Sequence, residues 1–97
     1  MNPVKKLEII IDHLALSVLL DRLEQIGVKD YTLIRDVEGR GHRGRMAGDG
    51  LSGEFSNCYL IIAVSPAVAE QIVDQIRPIL REQGGVCLVS DALWVKH

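Results

Sequence analysis

Aromatic side chains are scarce in this 97-residue chain, which holds one tryptophan, one phenylalanine and two tyrosines. A sheet that stacks RNA bases needs aromatic platforms on its strands, and neither Leu7–Ile11 nor Cys58–Val64 has that pattern. An RNA-recognition sheet is therefore excluded. Charge of one sign is lacking too: the formal net charge is −2, which removes the general attraction that non-specific nucleic-acid binding depends on. No nucleic-acid partner is expected. No apolar run approaches the roughly 18 residues that a membrane span requires, and Met1-Asn2-Pro3-Val4-Lys5-Lys6 leads into a strand-like run without a secretory core. The expectation is a cytoplasmic protein. The two cysteines, Cys58 and Cys87, sit inside apolar stretches without CxxC spacing, so they read as core filler, not as a disulfide framework or thiolate metal site. His13, His42 and His97 have no ligand spacing either, and neither Ser52 nor Ser56 has a visible His/Asp partner. No metal and no nucleophilic catalysis are expected.

What is present is an ordinary globular composition, 47% hydrophobic and 25% charged, in a length that supports a single domain over residues 1–97. Val4–Ile11 is short and β-branched and predicts a strand. Leu16, Leu19, Leu20, Leu23 and Ile26 recur at helical spacing over 14–26, with Asp12 available as a cap and Gly27 after the last turn. Tyr31–Glu38 predicts a second strand. Residues 39–57 hold six of the nine glycines and few large apolar residues, which predicts a long loop of the kind that usually carries function. Cys58–Val64 predicts a third strand, and Ser65-Pro66 opens a second helix whose buried stripe would be Ala69, Ile72, Val73, Ile76 and Leu80, kinked near Arg77 by Pro78. Gly84-Gly85 closes that helix before a last strand at 86–95. The order βαββαβ is the α+β, ferredoxin-like arrangement, a four-stranded antiparallel sheet with two helices on one face. Yet Tyr59, Ile61 and Ala63 alternate with Leu60, Ile62 and Val64, and Ile9 and Ile11 with Ile10, so the strands are apolar on both faces. That pattern predicts a homo-oligomer.

The strongest chemical signal is Gly39-Arg40-Gly41-His42-Arg43-Gly44-Arg45. Glycines let backbone N–H groups converge, and guanidinium forks match phosphate oxygens in pairs, which is anion-binding chemistry. A solvated Arg-Gly loop has the same composition. It is no Walker A loop, and a strand rather than a helix follows it, which excludes the dinucleotide fingerprint. Asp36, Glu38, Asp49 and Glu54 bracket the loop and read as solubilising or pairing charges. Gln83-Gly84-Gly85-Val86 is a second glycine turn, simplest as a helix cap, which a ferredoxin-like fold could bring opposite the first loop across a subunit boundary. Tyr59 and Trp94 read as core or interface.

Taken together, Lys6–Ile11, Leu23–Val28, Tyr31-Thr32-Leu33, Gly39-Arg40-Gly41, Val64-Ser65-Pro66 and Gly84-Gly85 resemble, in order and spacing over nearly the whole chain, the PII-type signal-transduction proteins. The resemblance implies a trimer in which the base of a long T-loop (about 39–57) and the B-loop of a neighbouring subunit hold an adenine nucleotide. The implied nucleotide-binding residues are Thr32, Gly39, Arg40, Gly41, His42, Arg43, Arg45, Ala63, Val64, Gly84, Gly85 and Val86. Val86 stands where nitrogen-sensing members carry a basic residue, and the basic tail is short at Lys96-His97, so tight ATP binding is not implied. No tyrosine occurs in 39–57, so no uridylylation switch is implied, and a Cys-Gly-Pro tail is missing. The sequence is most similar to the PII-like branch associated with bicarbonate transporters and carboxysomes. That implies AMP, ADP or cyclic AMP as ligands, bicarbonate as co-effector, no prosthetic group, and a T-loop target such as a membrane transporter that regulates inorganic carbon uptake or fixation. The expected protein is a regulator and not an enzyme; the alternatives are a slow nucleotide phosphohydrolase and a trimeric cation-tolerance protein.

Overall fold

The computed structural model describes residues 1–39 and 56–97. Its elements are β1 (Asn2–Asp12), α1 (Leu16–Gln25), β2 (Thr32–Val37), β3 (Asn57–Val64), α2 (Pro66–Gln83) and β4 (Val86–Trp94), in the expected order. All pairings are antiparallel and the sheet runs β2-β3-β1-β4, so β1 and β3 are central while β2 and β4 are edges. Alternation decides which side of each strand is buried. Leu7, Ile9 and Ile11 of β1 and Cys58, Leu60 and Ile62 of β3 face the helices and are sealed from solvent, whereas Ile10, Tyr59, Ile61 and Ala63 point the other way and stay half-buried. Leu16, Leu19 and Leu23 of α1 and Ala69, Ile72, Ile76 and Ile79 of α2 close the core from above.

Two details differ from the sequence reading. The first helix begins at Leu16, because His13–Ala15 forms a 3-10 turn in which the Asp12 carboxylate accepts the Leu14 N–H at 2.8 Å. Leu14, counted in the helix from periodicity, is thereby turned out to solvent. In α2 the buried stripe takes Ile79, while Val73 and Leu80 sit on its flanks, partly buried. Pro78, expected to kink α2 near Arg77, stands inside a helix that runs on to Gln83. It lies on the exposed side, where the carbonyl it frees can reach water. The start of α2 follows expectation: the Ser65 hydroxyl accepts the Val68 N–H at 3.3 Å and Pro66 occupies the first turn.

Among the described residues nothing covers the sheet face away from the helices. Register places Thr32 and Ile34, Tyr59 and Ile61, Glu8 and Ile10, and Val86 and Leu88 on it. Ile34, Leu88 and Trp94 each expose half or more of their surface there. The two faces predict opposite mutant behaviour. Ile62→Asp, which puts an unpaired carboxylate in the core, is expected to cost about 4 kcal/mol or more and to abolish folding, read by circular dichroism and urea titration. Ile61→Asp, on the open face, is expected to keep the fold and to reduce self-association in sedimentation.

Candidate functional site

One end of the sheet gathers both glycine turns. Val37 at the end of β2 pairs with Asn57 at the start of β3, which also pairs with Asp12 at the end of β1, and Val86 at the start of β4 pairs with Ile10. Gly39 therefore leaves the sheet at the end where Gly84 and Gly85 enter it. Laterally they are apart: β2 and β4 are opposite edges, three strand spacings or about 14 Å across one protomer.

The Gly84-Gly85 turn is fixed by backbone chemistry. Gly84 has φ 80° and ψ 179°, a conformation essentially reserved for glycine, and its N–H donates to the Leu80 carbonyl at 2.8 Å to cap α2. Gly85 has φ 120°, and a Cβ there would stand 2.8 Å from the Ile10 carbonyl oxygen. The helix-cap reading of this turn therefore holds, and it delivers Val86, about half exposed, onto the open face. Gly39 is different: a Cβ there would meet nothing within 4 Å. No packing among the described residues accounts for it.

Two residues at this end were not singled out for the site by sequence reasoning. His13 holds the far stem of the loop, with its backbone N–H donating to the Ser56 carbonyl at 2.9 Å and its ring Nδ1 3.2 Å from the same oxygen. A carbonyl only accepts, so Nδ1 carries a proton there. Asp36 lies in a bulge between Ile34 and Val37, where the register with β3 shifts, and has φ 60°. An Asp in the left-handed region of a strand end was foreshadowed only by the polar tail of Tyr31–Glu38. Burial pushes the Cys58 thiol up, with the Arg35 guanidinium opposing, and burial raises the Cys87 thiol as well. Neither is poised as a nucleophile.

Of the candidate residues, Gly39, Gly84, Gly85 and Val86 lie at this end. Thr32 begins β2 opposite Ile61, and Ala63 and Val64 end β3 opposite Lys6 and Lys5, so these three sit toward the other end, some five residues or about 16 Å along the strands. Arg40, Gly41, His42, Arg43 and Arg45 lie outside the described residues, and so does the greater part of the loop 39–57. An open groove of about 440 Å³ between α2 and the sheet, lined by Lys5, Ala69, Glu70, Val73, Arg77 and Val89 among others, includes none of the candidates. Among the described residues no three His, Cys, Asp or Glu side chains come together as a metal site, and no helix is long and apolar enough to cross a membrane.

The family model for nitrogen regulatory protein P-II matches residues 4–97. The chain belongs to that family. No curated protein matches the sequence. Among solved structures, the PII fold seen here is similar to CPII, a nitrogen regulatory PII-like protein from Thiomonas intermedia K12 bound to ADP, AMP and bicarbonate, with 29% identity and a TM-score of 0.83 over 95% of this chain and 88% of that one. CPII bound to ADP and bicarbonate matches at 28% identity, TM-score 0.81, with the same coverage. A PII-like signalling protein from Thermus thermophilus, at 24% identity and TM-score 0.77 over 97% of this chain and 91% of that one, shares the fold. The rigidity of the Gly84-Gly85 turn is testable. Gly85→Ala is expected to lower stability by about 2–4 kcal/mol, because left-handed strain and a backbone clash combine. Gly27→Ala, at φ 86° with open space around it, is expected to cost about 1–2 kcal/mol for strain alone, both read as shifts of the urea midpoint.

Proposed function

We propose that the protein is a trimeric PII-like regulator that binds AMP or ADP in clefts between copies, takes bicarbonate as a co-effector, and acts through its T-loop on a target in inorganic carbon uptake or fixation. The observation that carries this reading is the likeness to CPII with ADP, AMP and bicarbonate bound, extending over 95% of the chain. The sheet adds support, since the two glycine turns share one end but occupy opposite edges. In a closed ring of copies the β2 edge of each meets the β4 edge of the next, and a nucleotide laid along that seam would reach from Thr32 to the glycine turns. Arg43 and Arg45 would then take the phosphates as charge-assisted pairs, with backbone N–H groups of Gly39 to Gly41 and of Gly84 and Gly85 assisting and Arg40 and His42 alongside. Ala63 and Val64 would bound the base end. With Val86 in place of a cation behind the B-loop, one phosphate fewer is neutralised, which favours AMP and ADP over ATP.

Calorimetric titration with AMP, ADP, ATP and cyclic AMP, in chloride and in bicarbonate at constant ionic strength, tests this. AMP or ADP should bind, and bicarbonate should tighten the nucleotide by the factor with which nucleotide tightens bicarbonate, a coupling of about 1–3 kcal/mol. An Arg43→Ala, Arg45→Ala variant should lose about tenfold to a hundredfold in nucleotide affinity, the loss of a charge-assisted pair. Absence of nucleotide binding would overturn the reading. Weaker nucleotide binding in bicarbonate would remove bicarbonate from it and leave the nucleotide sensor.

A further inference from the structure

β2 carries one residue more than the stretch of β3 it pairs with. Thr32, Leu33 and Ile34 run in step with Ile61, Leu60 and Tyr59, but Val37 then pairs with Asn57, so Arg35 and Asp36 together stand against Cys58. Asp36 absorbs the extra length at φ 60°, a conformation that Asp adopts far more readily than a β-branched residue. The bulge changes the phase of the strand. Cys58 is sealed on the helix side, so Asn57 and Tyr59 face the open side, and the residues paired with them do the same. The β2 residues on the open face are therefore Thr32, Ile34 and Val37, and one further alternation brings Gly39 into their row. None of the four carries a charge. Unbroken alternation would have made that row Thr32, Ile34, Asp36 and Glu38, with two carboxylates at the end of the sheet where the glycine turns lie. Burial pushes the Cys58 thiol up, the Arg35 guanidinium opposes it and the Asp36 carboxylate adds to it, which sets both charges of the bulge near a helix-facing sulfur.

We propose that the bulge at Arg35-Asp36 is a specificity device for the anion site: it holds the Asp36 and Glu38 carboxylates out of the open-face row of β2 and brings Gly39 into it. Asp36 is thus a positioning residue that acts through the phase of its strand. A carboxylate in that row would repel a phosphate at the base of the loop, whereas Gly39, with open space where a Cβ would stand, leaves its backbone approachable. Asp12, registered against Asn57 from the other side, has its carboxylate engaged by the Leu14 N–H. The row leading from Thr32 to Gly39 is left uncharged by register, in a segment whose sequence is acidic. This inference rests on the proposed nucleotide site, and the experiment separates the two.

Wild type, Val37→Glu, Val37→Gln, Glu38→Gln and a deletion of Asp36 are titrated with ADP by calorimetry at low and at high salt, with circular dichroism as a check of folding. Val37 is only partly buried on an edge strand and Glu38 is exposed, so the fold should persist. Val37→Glu puts a carboxylate in the row and should weaken ADP about tenfold or more at low salt, a gap that narrows as salt rises. Val37→Gln, of similar size and no charge, should stay within about threefold of wild type, and Glu38→Gln within about twofold, because Glu38 already lies outside the row. Deleting Asp36 closes the bulge yet leaves Val37 opposite Asn57, so ADP affinity should again stay within about threefold. Glu38→Gln that tightens ADP about tenfold, or a folded Val37→Glu that binds like wild type, would put Glu38 in the row and overturn the role of the bulge while leaving the nucleotide site standing. A folded Asp36 deletion that loses ADP would show that strand shape and not phase matters, and would overturn it too. A wild type that binds no ADP would overturn the proposed function itself, and this role with it.

Discussion

Two helices can cover one face of a four-stranded sheet, and the rest of this molecule follows from that constraint. β1 and β3 fill the helix-facing centre of the sheet with large aliphatic residues, Leu7, Ile9, Ile11, Leu60 and Ile62, which α1 and α2 seal from solvent. The other side keeps Ile34, Leu88 and Trp94 substantially in water within the protomer. Burying that face by association is strongly favoured at roughly 25 cal/mol per Å² of apolar surface, and the same association would bring together the edge strands that carry the two glycine turns. Assembly and the candidate site are thus one question.

The edge strands also explain where the fold can respond to a ligand. β2 ends in a bulge with Asp36 in the left-handed region, so its pairing with β3 is irregular just before Gly39, while the far stem of the loop is held by His13 through Ser56. β4 begins on a turn locked by two glycines that no other residue replaces without strain. One side of the proposed seam is rigid and the other is irregular. A ligand that bridges them would act mainly on the irregular side, where the pairing with β3 already shifts register.

Most of the fold was legible in the sequence, for physical reasons. The period-2 pattern of Ile9, Ile10 and Ile11 against Leu60, Ile61 and Ile62 marks two-sided strands, and Ser65-Pro66 and Gly84-Gly85 mark the ends of α2 because caps and left-handed turns demand those residues. What periodicity could not see was the 3-10 turn at His13–Ala15, where the Asp12 cap captures Leu14 and delays the helix, or the rotation of the α2 stripe onto Ile79, which depends on how the helix lies against the sheet. The candidate site was legible only in part. Gly84 and Gly85 announced themselves by composition, but the His13–Ser56 contact joins residues 43 positions apart and leaves no local signal. The anion chemistry proposed for Arg40, Arg43 and Arg45 was read from residue type and resemblance, and these residues lie outside the described ones.

The central claim is that a nucleotide site forms only between copies, and subunit complementation tests it most directly. Arg43→Ala, Arg45→Ala disables the loop side of every cleft, and Val86→Asp, a negative charge beside the B-loop, disables the other; neither homo-oligomer should bind ADP. Unfolding the two variants together, refolding them as mixed oligomers and titrating with ADP should restore binding in about a quarter of the clefts, those in which an intact loop meets an intact B-loop from the adjacent copy. Mixed oligomers that bind no more ADP than the parents would place the whole site within one protomer and contradict the account.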